Sequence, residues 1–220
     1  MKFKSLKIGL SALILTISGF ANANLIEHIT NGDFETGDFS GWNVVNTGSG
    51  DWVINDGTFD PIGSGTALSP ISGNYDALSH QSGGGFHNLY QDITLPNYFA
   101  SATLSWDDRI RNHASVFSDP NQEWRVLIED TSGVLISEIF STEPGDTLIQ
   151  SGPNSYSFDL TTLLQPMFGQ TVRVSFEQQD NLYHFNASLD NVSLTTVPEP
   201  STLAIFALGI MGLASRRFKK

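Results

Sequence analysis

The stretch that decides the fold is EWRVLIEDTSGVLISEI, residues 123–139. Trp124, Val126 and Ile128 share one phase, and successive side chains of a strand point to opposite faces of a sheet. A second apolar run, VLI, follows after a four-residue polar segment that ends in Gly133, where a tight turn needs a positive φ. The stretch therefore predicts two antiparallel strands joined as a hairpin.

The same short alternating runs recur outward from this hairpin, and they are separated by Gly, Asn, Asp, Ser and Pro. Only Leu160–Met167 favours a short helical turn, which Pro166 closes. We predict an all-β chain, a single-domain two-sheet antiparallel β-sandwich (jelly roll). The predicted strands are Asp51–Asn55, Asn88–Leu95, Ala102–Ile110, Glu123–Asp130, Val134–Ser141, Ser155–Asp159, Thr171–Gln178 and Ala187–Thr195.

Both ends of the chain differ from this pattern. Lys2, Lys4 and Lys7 precede an apolar run that ends at the small-x-small sequence Ala21-Asn22-Ala23, the arrangement of a secretory signal peptide. We expect residues 1–23 to be that signal peptide, residues 24–196 to form the β-domain, and residues 197–220 to be a separate segment. No composition break within the middle part indicates a second domain.

The composition of the middle part restricts its partners. It has four arginines and no lysine against 22 carboxylates, a net charge of −18, so nucleic acid and anionic membrane surfaces are excluded as partners by like-charge repulsion. The chain has no cysteine, so neither disulfides nor thiol chemistry are available. Calcium and neutral or cationic polymers are better candidates for binding.

Charged residues occupy the strand phase opposite to the predicted core. If their strands lie in one sheet, they form one polar face that is a candidate ligand site, because Arg and carboxylates bind sugar hydroxyls in planar geometry. The alternative is a solvated ladder of cross-strand salt bridges. The candidate residues are Asp107, Arg109, Arg125, Arg173 and Glu177, and the candidate aromatic platforms are Trp52, Tyr75, Tyr90 and Tyr183, whereas Trp42, Trp106 and Trp124 are assigned to the core.

The last strand changes phase partway along. Leu189 is apolar and so are Val192 and Leu194, three and five residues later, so the period of two slips between them. A β-bulge at Asp190-Asn191 accounts for the slip and re-aims the Asp190 side chain.

The segment 197–220 has three parts in order: the motif Pro198-Glu199-Pro200, an apolar run from Leu203 to Ala214 and a basic end, RRFKK. With these parts it resembles the PEP-CTERM sorting signal of exported bacterial proteins. The resemblance implies processing by a membrane protease-transferase, exosortase, near the motif, and association with an exopolysaccharide or biofilm matrix. The run of 12 residues spans roughly 18 Å as a helix, short for a hydrocarbon core of about 30 Å, so we expect a short transmembrane helix inserted transiently in the inner membrane, with the β-domain outside. The alternative is an ordinary tail anchor.

Two motifs bracket the β-domain: NGDFETG followed by FSGW, from Asn31 to Trp42, and LDNVSL from Leu189. They resemble the first and last strands of carbohydrate-binding-module and galactose-binding-like jelly rolls. The resemblance implies a structural calcium held by Glu35 and Asp190, with Asp33 as a third ligand, and calcium prefers such hard oxygen ligands. The alternative is that these carboxylates cap turns.

No catalytic arrangement stands out. The adjacent pairs Asp107-Asp108 and Glu129-Asp130 cannot act as acid and base together, because neighbours on a strand face opposite ways. Nucleophile-elbow and zinc-protease motifs are absent, and the five histidines lack metal-ligand spacing. We expect a non-enzymatic, exported, extracellular or surface protein that binds carbohydrate; the alternatives are a purely structural surface protein and a matrix-glycan hydrolase.

Overall fold

The computed structural model describes residues 24–199. The predicted signal peptide and the predicted transmembrane helix lie outside these residues. Within residues 24–199 no helix is long or apolar enough to cross a lipid bilayer.

The described chain consists of eleven strands and two short helical turns. The turns are α1, Thr161–Leu164, and a 3₁₀ turn, Gln165–Met167, as the sequence predicted. The strands are β1 Ile26–Glu27, β2 Asn43–Gly48, β3 Asp51–Asn55, β4 Asp76–Gln81, β5 Gly85–Thr94, β6 Ser101–Asn112, β7 Glu123–Glu129, β8 Leu135–Ser141, β9 Asn154–Asp159, β10 Thr171–Asp180 and β11 Phe185–Val197.

The strands form two antiparallel sheets packed face to face. One is six-stranded, in the order β3-β4-β11-β6-β9, with β1 paired to the far end of β11. The other is five-stranded, in the order β2-β5-β10-β7-β8. The predicted all-β sandwich is confirmed.

The eight predicted strands are present, with ends that shift by at most three residues. The hairpin of β7 and β8 turns at Gly133, whose φ is 84°. Three strands, β1, β2 and β4, were not predicted. The six residues of β2 are all exposed, and β4 faces the core partly with polar residues, so neither carries an apolar alternation.

The core lies between the two sheets and is rich in aromatic rings. Trp106 stacks on Tyr156 and Phe158, with ring centroids 5.0 and 5.5 Å away, and Trp124 stacks on Phe176 at 6.1 Å. Both tryptophans are almost fully buried, as the sequence assignment to the core predicted. Offset and edge-on ring packing of this kind adds to the stabilisation from burial.

The first motif is held against β11 at the predicted bulge. The register of β11 with β6 shifts between Asp190 and Ser193, and Asn191 adopts a φ of 52°. Val192 N donates a hydrogen bond of 2.9 Å to Gly32 O, and a Cβ at Gly32 would overlap the Val192 carbonyl oxygen. The two bracketing motifs thus meet at a point where only glycine fits.

Candidate functional site

The outer side of the five-stranded sheet carries a continuous set of charged and polar side chains, which we call the polar face. The central positions pair directly across strands: Glu177 of β10 lies between Asn88 of β5 and Arg125 of β7. The polar face comprises Asn88, Tyr90, Asp92, Glu123, Arg125, Glu129, Arg173, Ser175 and Glu177.

The carboxylate of Glu177 is bound by two planar partners. Arg125 Nε donates to Glu177 Oε2 at 2.7 Å, and Asn88 Nδ2 donates to Glu177 Oε1 at 3.1 Å. Ser175 Oγ extends the network by donating to Asn88 Oδ1 at 2.8 Å. Burial raises the pKa of Glu177, and the Arg125 guanidinium opposes the rise. The centre of this face thus contains a cross-strand ion pair of the kind expected for the alternative, a salt-bridge ladder.

The second guanidinium makes a different arrangement. Arg173 donates to both carboxylate oxygens of Asp92, at 2.7 and 3.1 Å, and its Cζ lies 3.7 Å from the centre of the Tyr90 ring. Its NH2 group also donates to Thr131 O at 3.1 Å. Stacking on the ring and a bidentate pair together fix the orientation of this side chain.

Among the described residues, two further carboxylates on the polar face each have one oxygen without a hydrogen bond. Glu123 and Glu129 are 2% and 6% exposed, and one oxygen of each, Oε2, accepts no hydrogen bond within residues 24–199. The other oxygen of Glu123 accepts from Ser141 Oγ at 2.7 Å. Burial raises the pKa of Glu123. Both Oε2 atoms are buried, so a ligand hydroxyl would reach them only after the side chains turn outward, and Arg125 Nη1 lies 3.7 Å from Glu123 Oε2.

Two of the five predicted ligand residues do not belong to this face. Asp107 and Arg109 lie on β6, in the other sheet, so the prediction that all five residues share one polar face is wrong. Arg109 NH2 instead donates to Ser69 O at 2.6 Å and lies 3.7 Å from Asp76 Oδ2. Alternation gives the side of a strand but not the sheet to which the strand belongs.

The four candidate aromatic platforms also lie in different environments. Trp52 is only 4% exposed and packs against Trp124 with ring centroids 6.1 Å apart, so it is a core residue and not a platform. Tyr75 packs partly buried against the core, and Tyr90 lies under Arg173. Tyr183 is 65% exposed at a loop tip.

Glu35 and Asp190 converge on one loop segment, Ser72–Tyr75. Glu35 accepts hydrogen bonds from the backbone N–H groups of Asn74 and Tyr75, at 2.7 and 3.1 Å, and from Asn74 Nδ2 at 2.8 Å. Asp190 Oδ2 accepts from Ser72 N at 3.0 Å and Ser72 Oγ at 2.8 Å. The two motifs that bracket the domain thus hold neighbouring residues of the same loop.

Asp33 is placed differently, because its Oδ1 accepts a hydrogen bond of 3.3 Å from Glu35 N and so closes a local turn. Within residues 24–199 no three His, Cys, Asp or Glu side chains come together as a metal-binding group. Any cation beside Glu35 and Asp190 would therefore need carbonyl oxygens or water as its remaining ligands, which calcium accepts.

A cleft of about 630 Å³ opens where the ends of β8 and β9 face each other. Its walls carry the rings of Phe117, Phe140 and Tyr156 and, from the loop between the two strands, Asp146 and Gln150. The sequence did not predict this cleft, because all of its lining residues except Phe117 lie between Phe140 and Tyr156, where the loop carries no period that indicates which side chains face one another.

The buried carboxyl of Asp108 lies behind the cleft. Its Oδ2 accepts hydrogen bonds of 3.0 Å from the indole N–H groups of both Trp106 and Trp124, and its Oδ1 accepts none within the described residues. Burial raises the pKa of Asp108 to about 7. Asp107, its neighbour, faces outward and accepts from Asn191 Nδ2 at 2.8 Å, so the pair does not converge, as predicted.

Solved structures with a similar fold include carbohydrate-binding modules. The structure of TmCBM61 in complex with β-1,4-galactotriose is 15% identical, aligns over 77% of this chain and 97% of that one, and gives a TM-score of 0.50. A structure of carbohydrate-binding modules with promiscuous specificity, from the β-sandwich superfamily, is 16% identical, aligns over 75% of this chain and 61% of that one, and gives a TM-score of 0.49. A Stig cyclase from Fischerella sp. TAU is 17% identical, aligns over 80% of this chain and 99% of that one, and gives a TM-score of 0.49. At these identities the similarity is one of fold, and no curated protein is similar to this chain in sequence.

Residues 196–220 match the family model of the PEP-CTERM protein-sorting motif. The match includes Pro198-Glu199-Pro200, and it begins at Thr196, one residue before the end of β11 at Val197. The chain thus carries a PEP-CTERM protein-sorting motif after a β-sandwich whose fold is similar to that of carbohydrate-binding modules.

Proposed function

We propose that the β-sandwich is a non-catalytic glycan-binding domain and that the polar face is its binding site. The observation that carries the proposal is the set of carboxylates and guanidiniums that three neighbouring strands bring together on one outer face, with Arg125, Arg173 and Glu177 among them. Sugar hydroxyls can donate to such carboxylates and accept from such guanidiniums, and hydrogen bonds to charged groups are among the stronger ones.

The neighbouring side chains support the same ligand class. The Arg125–Glu177 pair and the Arg173–Asp92 pair are planar and fixed by their mutual hydrogen bonds. Their positions therefore need little ordering when a ligand binds, which favours affinity. The negative charge of the domain favours neutral glycans over acidic ones.

The sorting motif supports an activity outside the cell. We propose that the protein acts in an extracellular or surface polysaccharide matrix of the biofilm type, where it binds exopolysaccharide after its sorting signal has been processed by exosortase and its transient hold in the inner membrane has ended. A domain that binds matrix glycan and is delivered by its own sorting signal needs no catalytic group for this role.

Glu129→Ala is expected to weaken retention on immobilised glycan about tenfold, because it removes a carboxylate of the polar face directly across from Arg173. The measurement is affinity electrophoresis of residues 24–199 on a glycan panel that includes β-1,4-galactan and the exopolysaccharide of the producing cells. Asp51→Ala, which removes an exposed carboxylate from β3 in the other sheet, is the matched control and should be retained like the parent. Equal retention of the two variants would contradict the assignment of the polar face.

We also propose that Glu35 and Asp190 hold a structural calcium at the loop segment Ser72–Tyr75. Their convergence on neighbouring residues of one loop supports this arrangement, and calcium there would tie the two bracketing motifs together.

Removing calcium with a chelator is accordingly expected to lower the melting temperature by several degrees, because an ion that binds only the folded state stabilises it by mass action. Differential scanning calorimetry with added calcium or chelator measures the shift. Glu35→Gln should show a much smaller shift between the two conditions. A melting temperature independent of calcium in the parent protein would reject the metal and leave both carboxylates as caps of the loop.

A further inference from the structure

The cleft between β8 and β9 has a composition that suits a cation. We propose that it binds the protonated amine of a de-N-acetylated amino sugar, as a second ligand site separate from the polar face. Among residues 24–199, the cleft is lined by three aromatic rings and one carboxylate, and by no lysine, arginine or histidine. Aromatic faces combined with a carboxylate and without competing basic groups are the surroundings that attract an organic cation.

The aromatic walls are held in place by the core behind them. The rings of Phe140 and Tyr156 lie 4.7 Å apart at an interplanar angle of 53°. Tyr156 also stacks on the buried Trp106, with ring centroids 5.0 Å apart. The two rings therefore form a fixed corner, and a cation placed over their faces would not need to order them first.

Two carboxyl groups lie at the cleft, one at its rim and one deeper. Asp146 is exposed at the rim, and Asp108 lies deeper, directly across the strand pair from Asn154, which lines the cleft. Burial raises the pKa of Asp108 to about 7, so at about pH 6 this carboxyl is mostly protonated and carries little charge. The attraction for a cation at that pH therefore comes from the carboxylate of Asp146 together with the aromatic faces.

The remaining lining favours a sugar over a simple alkylammonium ion. Thr142, Gln150 and Asn154 bring hydroxyl and amide groups to the same walls. The volume of about 630 Å³ lies within the range of small-molecule sites, roughly 300 to 1,000 Å³. One or two sugar rings with an amine substituent fit this combination of an apolar corner, hydrogen-bonding groups and negative charge.

The proposal is tested with two trisaccharides that differ only in acetylation, chitotriose with free amines and its tri-N-acetyl form. Isothermal titration calorimetry uses the full-length chain in non-ionic detergent at about pH 6, below the pKa of an amine, and at about 0.15 M salt. The free-amine form is expected to bind at least about tenfold more tightly than the acetylated form. Equal affinities, or no binding of the free-amine form, would overturn the proposal.

Two variants separate the cleft from the general negative charge of the domain. Asp146→Asn keeps the side-chain oxygen that accepts from Glu143 N at 2.8 Å and is expected to weaken binding of the free-amine form about fivefold to tenfold. Glu143→Gln removes an equal charge from an exposed neighbouring position and should change the affinity less than about twofold. Equal losses in the two variants would overturn the site, because they would indicate attraction by diffuse charge. Because none of these groups belongs to the polar face, a failure here is distinguishable from a failure of Glu129→Ala.

Discussion

Asp108→Asn is expected to leave the free energy of unfolding nearly unchanged at about pH 4 and to raise it by about 3 to 4 kcal/mol above pH 7. Asp108 is fully buried between the two sheets, and its Oδ2 accepts hydrogen bonds from two indole N–H groups. An asparagine side chain keeps an oxygen acceptor for both indoles and carries no charge, so it replaces the ionised form by a neutral one of the same shape.

The pH dependence of this change in the free energy of unfolding follows from the direction in which the pKa of Asp108 is shifted. Burial raises the pKa of Asp108 from 3.8 to about 7, so the folded protein binds this proton more tightly than the unfolded chain does. The cost of ionising the buried carboxyl is absent below the unfolded pKa, grows between about pH 4 and pH 7, and is fully present above the folded pKa. Asparagine never incurs this cost, so the difference between the two proteins widens as the pH rises.

Urea denaturation of both proteins between about pH 4 and pH 8 measures this difference directly. The comparison cancels the other buried groups, among them Asp76, whose pKa is raised to about 6, and His87, whose pKa is lowered to about 4, both by burial. Asp107→Asn, on the outward side of the same strand, is the matched control, and we expect a much smaller change from it. A difference between Asp108→Asn and the parent that stays constant with pH would contradict the prediction.

Gly32→Ala is expected to destabilise the domain by about 3 kcal/mol or more, because a Cβ at this position overlaps the carbonyl oxygen of Val192. The obstacle is backbone and not a flexible side chain, and the hydrogen bond from Val192 N to Gly32 O holds the two segments at this distance. The substitution would push the first motif away from β11 at the bulge, where Asp190 holds Ser72.

The midpoint of urea unfolding measures this loss. Gly83→Ala provides the control, since a Cβ there meets nothing within 4 Å, and its effect should stay within about 0.5 kcal/mol. A Gly32→Ala variant as stable as the Gly83→Ala variant would show that the contact between the two motifs can relax at little cost.

The sequence predicted the strands whose core-facing positions are apolar and failed for the strands where they are not. In β4 the inward positions are Ala77, Ser79 and Gln81, and Ser79 Oγ lies 2.8 Å from the Nδ1 atom of the buried His87. A polar contact inside the core removes the apolar period on which strand prediction depends. The bulge at Asp190 was predictable because it breaks a period that is otherwise regular.

The candidate site was predictable in its residue types and only partly in its position. Arg125, Arg173 and Glu177 share one face, as predicted, because β7 and β10 are neighbours. Arg109 was misplaced because β6 and β7 follow each other in the chain and yet lie in different sheets. Strand pairing over long sequence separations, such as that of β5 with β10, also brings in Asn88 and Asp92, and no local pattern in the chain indicates it.

The position of β11 has a mechanical consequence. This strand is paired on one side with β4 and on the other with β6, and it runs to Val197, one residue before the Pro-Glu-Pro motif. A pulling force applied at the motif would act along the strand, at right angles to hydrogen bonds on both of its sides, and would load them together in shear instead of opening them one at a time. A domain attached through this end would therefore resist drag from flowing liquid better than one attached through an edge strand.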